Sequence, residues 1–345
     1  MSTMSKEENH QLSDLPEFLQ DNDIVQEFKD LVLSLPREKG WLASYLHQYQ
    51  GFWHTTRQIQ GVLSCQKYFK SLDNDVILVS TPKSGTTWLK AIIFSLVNRS
   101  TFPDTKHNHP LITTNPHVLV PFLELNLYLT SKSKLVIPDL SSIRKATLDS
   151  ASLFSTHLPY VSLPDSVKTS PCKLVYLCRN PKDVFVSLWH FTNRLKPESW
   201  AKNTMEESFE KFCNGVSLSG PFWDHSLGYW KVSLASPEKV LFLNYDEMKK
   251  EPFFHVKKLA EFLGFPFSLQ EEANGDVSRI LELCSFDNLS NLLVNKNGKQ
   301  PSGEENKTFF RRGEVGDWMN YLTPEMAKKL DSLVEQKLHG SGLKF

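Results

Sequence analysis

Apolar positions along this chain fall into two kinds of run. Short, nearly unbroken apolar stretches, DVILVS (75–80), LFS (153–155), KLVYLC (173–178) and KVLFLN (239–244), are bounded by turn residues and read as strands buried on both faces. Segments with helical spacing separate or follow them, at 24–33, 57–69, 88–97, 252–263 and 326–338. Buried strands alternating with helices predict an α/β fold, a single domain with a central parallel sheet covered on both sides, whose ligands bind at the carboxyl ends of the strands. Residues 1–20 are polar and patternless and are expected to be disordered, which leaves 21–345 as the domain. The stretch KNGKQPSGEENK (296–307) reads as a mobile loop.

Charge and composition then narrow the partners. Lys plus Arg number 39 and Asp plus Glu number 39, so no global field draws the chain to nucleic acid or to an acidic membrane, and any anion specificity must be local. The first ten residues, MSTMSKEENH, lack the basic start and apolar core of a signal peptide, and no apolar run approaches the ~18 residues of a membrane span. Five scattered cysteines without a C-x-x-C pair suit reduced thiols, so a cytoplasmic protein is expected.

Candidate chemistry lies in three basic segments. In VSTPKSGTTWLK (79–90) a strand runs into a turn and then a helix starting near Thr86, where free N–H groups face an anion. Gly85 allows close backbone approach, Thr86 and Thr87 add hydroxyl donors, and Lys83 adds a positive charge. An ordinary turn with Thr as N-cap fits the same residues. Lys83 precedes the glycine, and G-x-x-x-x-G-K-[ST] occurs nowhere in the chain, so a magnesium-held triphosphate has no standard cradle here. In YLCRNPKDVFVSLWH (176–190), Arg179 ends a strand and Ser187 follows about two helical turns later. In FFRRGEVGDW (309–318), Arg311, Arg312 and Gly313 make a third anion-binding candidate, a solvated charge pair being the other reading. His107 and His109 form an H-x-H pair without a nearby third metal ligand. Three basic segments in a net-neutral chain predict a ligand with two separated phosphate-like groups.

TPKSGTTW (81–88), RNPKDVFVS (179–187) and FRRGEVGDW (310–318) resemble, in order, the signature regions of the cytosolic sulfotransferases. LPREKGW (35–41), QGFWH (50–54), GPFWD (220–224) and the terminal GSGLKF (340–345) are similar to the plant soluble branch, and the resemblance covers roughly residues 35–345. It implies a fold like that of the P-loop nucleotide-binding proteins and transfer of a sulfonate group from 3′-phosphoadenosine 5′-phosphosulfate (PAPS) to a hydroxyl group. It also implies that Lys83, Ser84, Gly85, Thr86 and Thr87 wrap the 5′-phosphosulfate, and that Arg179, Ser187, Arg311, Arg312 and Gly313 hold the 3′-phosphate. Trp88 and Phe286 would sandwich the adenine with Tyr245 at its edge. His157, in FSTHLPY (154–160), would be the catalytic base and Lys83 would assist departure of the phosphate, without a metal.

Two positions depart from the animal pattern. Ser155 stands where animal members often carry lysine, so a second catalytic lysine is not implied. Of the animal dimer motif, aligned with Met319, Thr323, Pro324 and Lys328, only the threonine remains, and a monomer is expected. For the acceptor, a small metabolite of plant secondary metabolism, a flavonoid-like phenol is the expectation, with brassinosteroids, hydroxyjasmonates and desulfoglucosinolates as alternatives. Trp53, Phe122, Tyr160 and Trp223 are candidate pocket walls, and core packing accounts for each equally well. An ATP-dependent small-molecule kinase and a non-catalytic nucleotide-binding protein are the competing functions.

Overall fold

The computed structural model describes Pro16, Leu19 and residues 24–129, 137–145 and 151–345. The expectation of disorder over 1–20 therefore lies, those two residues apart, outside the described residues. Among the described residues are a three-stranded antiparallel meander, β1 (Arg37–Lys39), β2 (Tyr45–Tyr49) and β3 (Phe52–His54), and a four-stranded parallel sheet. The parallel sheet comprises β4 (Asp75–Ser80), β5 (Ser152–Thr156), β6 (Lys173–Cys178) and β7 (Val240–Asn244), in the order β5-β4-β6-β7. The six helices of twelve or more residues among those described are α1 (Thr56–Tyr68), α2 (Thr86–Val97), α3 (Pro181–Leu195), α4 (Phe222–Ala235), α5 (Pro252–Leu263) and α6 (Pro324–Leu338).

The parallel sheet has the two-sided burial that its apolar runs require. Along β4 and β6 successive side chains alternate faces. Val76, Leu78, Val175 and Leu177 join one core with Leu89 and Ile92 of α2 and Leu259 of α5. Ile77, Val79, Leu174 and Tyr176 join the opposite core with Ile59 and Val62 of α1 and Tyr229 of α4. Every residue of β4 is buried, and polar residues enter only where they are bonded: Asp75, at the strand's start, meets Arg144 at 2.7 Å.

Helix starts follow local chemistry. Thr55 and Gln58 close a capping box on α1, Asn180 accepts the Lys182 N–H at 3.0 Å ahead of Pro181 on α3, and Thr323 accepts the Met326 N–H at 3.2 Å ahead of Pro324 on α6. The threonine kept from the dimer motif thus has a local role as a cap. Three expectations change in detail. The segment 24–33 divides into a 3₁₀ turn, Gln26–Phe28, and a short helix, Lys29–Ser34. The β1–β3 meander falls between the predicted elements, because its three-to-five-residue strands carry no sustained alternation. The stretch read as a mobile loop is built from bonds instead: Lys299 bridges Glu305, the Gln300 N–H donates to Glu304 O at 2.8 Å, and the buried Asn306 donates to Val294 O at 2.8 Å.

Register decides where the site forms. Val79 pairs with Thr156 and with Tyr176, and Cys178 pairs with Asn244. The parallel strands consequently release Thr81, His157, Arg179 and Tyr245 at one edge. Because β5 and β6 leave β4 on opposite sides, this edge is also the switch point of the sheet, where an open cleft is expected.

Candidate active site

A cleft opens at that edge, with about 1360 Å³ of space counted out to its solvent-filled mouth. Of the fourteen positions assigned to donor binding and catalysis, thirteen line it: Lys83, Gly85, Thr86, Thr87, Trp88, His157, Arg179, Ser187, Tyr245, Phe286, Arg311, Arg312 and Gly313. Ser84 is instead fully buried beneath the loop, where its hydroxyl meets that of Thr81 at 2.6 Å.

The loop between β4 and α2 is a strained turn. Lys83 has φ 70° and Gly85 has φ 106°, both in the left-handed region that disfavours residues with a Cβ. At Gly85 a Cβ would also stand 2.6 Å from Cδ2 of Tyr245, so glycine is required twice over. The Leu89 N–H donates to Gly85 O at 3.1 Å and closes the first turn of α2, which leaves the N–H groups at the start of that turn facing the cleft. Ser80 and Thr86 share a hydroxyl–hydroxyl bond of 2.7 Å that ties the strand end to the helix start.

Arg179, only 5% exposed, donates to Glu314 O at 2.6 Å and Lys83 O at 3.3 Å and lies 4.6 Å from the Tyr245 ring centroid. It therefore joins the second basic segment to the other two. Asp183, in the first turn of α3, accepts the N–H groups of Gly316 at 2.8 Å and Trp318 at 3.0 Å, and Tyr245 donates its hydroxyl to Gly313 O at 2.8 Å. These bonds clamp residues 311–318 over the cleft. Arg311 pairs with the buried Asp317, which Arg312 also meets at 3.2 Å. A Cβ on Gly313, φ 67°, would stand 2.6 Å from Cδ2 of Phe286. Burial, with the like charges of Arg311, Arg194 and Arg179, lowers the Lys83 pKa to about 7.

This basic cluster suits a doubly anionic nucleotide. The buried Nε atoms of Arg179 and Arg311 have no hydrogen-bond partner among the described residues. A guanidinium cannot shed its proton, so such an N–H calls for an acceptor oxygen, which a phosphate supplies. The residues present fit the group.

His157 Nδ1 lies 2.6 Å from Ser80 O. A carbonyl only accepts, so Nδ1 carries the ring proton and Nε2 keeps its lone pair. Burial is the main cause that pushes the imidazole down to about 3, and the cations Lys90 and Lys83 add to it. The His157 backbone is held from both directions: its N–H donates to Glu124 Oε1 at 2.7 Å, and its carbonyl accepts from His225 Nε2 at 3.0 Å.

Several residues in and behind the cleft carry no sequence signal of their own. Glu124 is a buried carboxylate, His117 follows a proline in a one-turn helix, and Lys90 occupies a helix position that reads as a solvated charge. Lys90 is instead fully buried, 3.0 Å from His117 Nδ1 and 3.4 Å from the Phe122 ring centroid, and burial drives its pKa well down while Glu124 works against that. Of the proposed acceptor walls only Phe122 lines the cleft, 4.5 Å from the His157 ring. Trp53 packs with Leu46 and Leu218, Tyr160 against Tyr229, and Trp223 with the α3–α6 core, so packing accounts for these three. His107 meets Asp104 at 3.1 Å while His109 accepts from the Leu111 N–H at 3.2 Å, giving each half of the H-x-H pair its own local partner.

Fold and site together define a class: an α/β protein whose sheet edge presents anion-binding loops beside a neutral imidazole. This chain belongs to the sulfotransferase family, whose profile, described as "Sulfotransferase domain", matches residues 73–342. It is 51% identical over 334 residues to cytosolic sulfotransferase 12 of Arabidopsis thaliana, covering 96% of this chain and 98% of the relative. It is 50% identical to cytosolic sulfotransferase 5 of the same plant, covering 94% and 98%. Among solved structures it is similar to an Arabidopsis thaliana sulphotransferase, at TM-score 0.72 and 42% identity, covering 100% of this chain and 99% of that one. A mouse sulfotransferase complexed with PAP matches at TM-score 0.63 and 28% identity, covering 86% and 95%.

Proposed function

We propose that this chain is a cytosolic, PAPS-dependent sulfotransferase acting on a hydroxyl group of a small acceptor, with a flavonoid-like phenol as the acceptor class. The observation that carries the reading is the neutral His157, its Nδ1–H committed to Ser80 O at 2.6 Å, in the same cleft as Lys83 and the start of α2. PAP bound to the mouse relative supports the choice of donor.

PAPS supplies the sulfonate group to be transferred. The first-turn N–H groups of α2, with Thr86, Thr87 and Lys83, hold its 5′ side, while Arg179, Ser187, Arg311, Arg312 and Gly313 hold its 3′-phosphate. Trp88 and Phe286 stack on the adenine and Tyr245 lies at its edge, a contact worth about 1–3 kcal/mol per base without a base code. His157 Nε2 accepts the acceptor's hydroxyl proton, and the bound anion raises its proton affinity above the value in the free protein. Lys83 stabilises charge on the departing phosphate, so chelation leaves transfer intact. Phe122, beside the His157 ring, is a wall suited to a planar phenol.

Titration of the purified protein with adenosine 3′,5′-bisphosphate and with ATP, followed by turnover with PAPS over a panel of phenols and alicyclic alcohols, tests this. The expected result is preference for the bisphosphate and transfer to a phenol that survives EDTA. Preference for ATP with magnesium-dependent turnover would support a kinase, and binding without turnover on any acceptor a nucleotide sensor. Transfer confined to non-phenolic alcohols would remove the flavonoid-like assignment alone.

A further inference from the structure

Behind the phosphate loop runs a buried line of three hydrogen-bonded side chains. Lys90 lies three residues after Thr87 on α2, so the two share a helix face. His117, from the short helix Pro116–Leu119, bridges them: Nδ1 stands 3.0 Å from Lys90 Nζ, and Nε2 stands 2.9 Å from Thr87 Oγ1. Lys90 is fully buried and His117 is 6% exposed, whereas Thr87 reaches the cleft.

The directions of these bonds follow from what each atom can do. An ammonium has three donors and no acceptor. Burial drives the Lys90 pKa well below its usual value, and the Glu124 carboxylate and the Phe122 ring face, 3.4 Å from Nζ, work against that shift. As the ammonium, Lys90 donates to His117 Nδ1, which places the ring proton on Nε2, and Nε2–H donates to Thr87 Oγ1. With that oxygen accepting from behind, the Thr87 hydroxyl is left to donate forward. A hydrophobic side chain would fill the Lys90 site without the cost of burying an amine, so the polar line calls for an explanation beyond packing.

The geometry points to Lys90 and His117 as positioning residues that commit the Thr87 hydroxyl as a donor to an anionic oxygen on the 5′ side of the bound nucleotide. This role rests on the cleft being the donor site. The line is a fixed dipole behind the cradle, set before the ligand arrives, so the hydroxyl need not reorient when charge develops there.

Two measurements test it. The first is a two-bond ¹H–¹⁵N spectrum of the histidines in the unliganded wild-type protein, with His117→Gln identifying the resonance. The expected signature is protonated Nε2 with bare Nδ1, and the opposite tautomer overturns the proposal whether or not any nucleotide binds. The second is a double-mutant cycle with adenosine 3′,5′-bisphosphate as the calorimetric probe. Thr87→Val is expected to weaken binding about 10-fold, Lys90→Met about 10-fold, and the pair together about 10-fold, because both remove one contact; Thr87→Ser stays within about 3-fold of the parent. Multiplying effects of about 100-fold, or an indifferent Thr87→Val, overturns it. A wild-type protein that ignores the bisphosphate defeats the donor reading, and the tautomer then decides the line by itself. The tautomer likewise decides if Lys90→Met does not fold.

Discussion

Glu124 holds the backbone N–H of His157 on one carboxylate oxygen at 2.7 Å and the Thr156 hydroxyl on the other at 2.7 Å. A buried carboxylate thereby fixes the end of β5, and with it the His157 ring that packs against Phe122. Burial raises the Glu124 pKa, and those two hydrogen bonds oppose the shift. Replacing Glu124 by Gln keeps one acceptor and turns an NH₂ group toward a donor. The expected cost is about 1–3 kcal/mol of stability, with a fall in kcat that exceeds any change in donor affinity. Urea unfolding and steady-state kinetics on Glu124→Gln measure both, and unchanged stability would mean that the carboxylate does not brace the strand.

His157→Ala is expected to lower kcat by roughly two to four orders of magnitude, the usual share of a general base, and to leave binding of adenosine 3′,5′-bisphosphate nearly intact. Turnover within a few-fold of the parent would make His157 a structural residue.

Gly85→Ala sets a Cβ against the Tyr245 ring and forces alanine to φ 106°, so both stability and bisphosphate binding are expected to fall, the latter by more than about 10-fold. Gly51 supplies the comparison: its φ is 87°, but a Cβ there would meet no atom within 4 Å, so Gly51→Ala carries only the backbone cost, about 1–2 kcal/mol. Equal melting shifts for the two variants would remove the packing contribution of Tyr245.

Arg179 and Arg312 differ in burial, and their effects on nucleotide binding are expected to differ accordingly. Arg179→Ala is expected to weaken adenosine 3′,5′-bisphosphate by about 10- to 150-fold while barely touching adenosine 5′-phosphate. Arg312, with its side chain 47% exposed, sits at the low end of that range or below it. Calorimetry with both nucleotides reads the difference. Equal weakening of the two ligands would assign the arginines to the overall field and not to a 3′-phosphate.

Acid sensitivity follows from the depressed histidines, seven among the described residues, four of which lie at about 3 to 4. Burial is the main cause that holds His54 and His157 at about 3 and His109 and His225 at about 4. The unfolded chain takes up these protons near pH 6.5, whereas the folded protein refuses them until pH falls to about 4 and below. Since the unfolded state binds more protons across that window, stability drops as pH falls below about 6.5, each histidine adding a slope of up to about 1.4 kcal/mol per pH unit. Urea midpoints measured from pH 7.5 to pH 5 should fall steadily. A flat profile would mean that these rings are solvated.

Strands and site differ in how far the amino-acid sequence reveals them. β4, β6 and β7 stand out because strands buried on both faces are largely apolar, and β4 and β6 match the predicted runs residue for residue, whereas β5, Ser152–Thr156, is buried with only Leu153 and Phe154 apolar. Helix starts are legible for a similar local reason, since Asn180-Pro181 and Thr323-Pro324 cap and begin helices with neighbouring atoms alone. The first anion loop could be found because lysine, glycine and threonine in that order serve a backbone conformation set within the seven residues 81–87. Only the tertiary structure decided which distant side chains answer one another. The pairing register brings His157 to Ser80, 77 positions earlier, and the packing of a one-turn helix against α2 turns Lys90 inward to His117, 27 positions later. Nothing local distinguishes that lysine from a solvated one, nor Trp53, Tyr160 and Trp223 from walls of a pocket. A side chain's neighbours depend on how elements far apart in sequence pack, and hydropathy along the chain records that a residue is buried without recording against what.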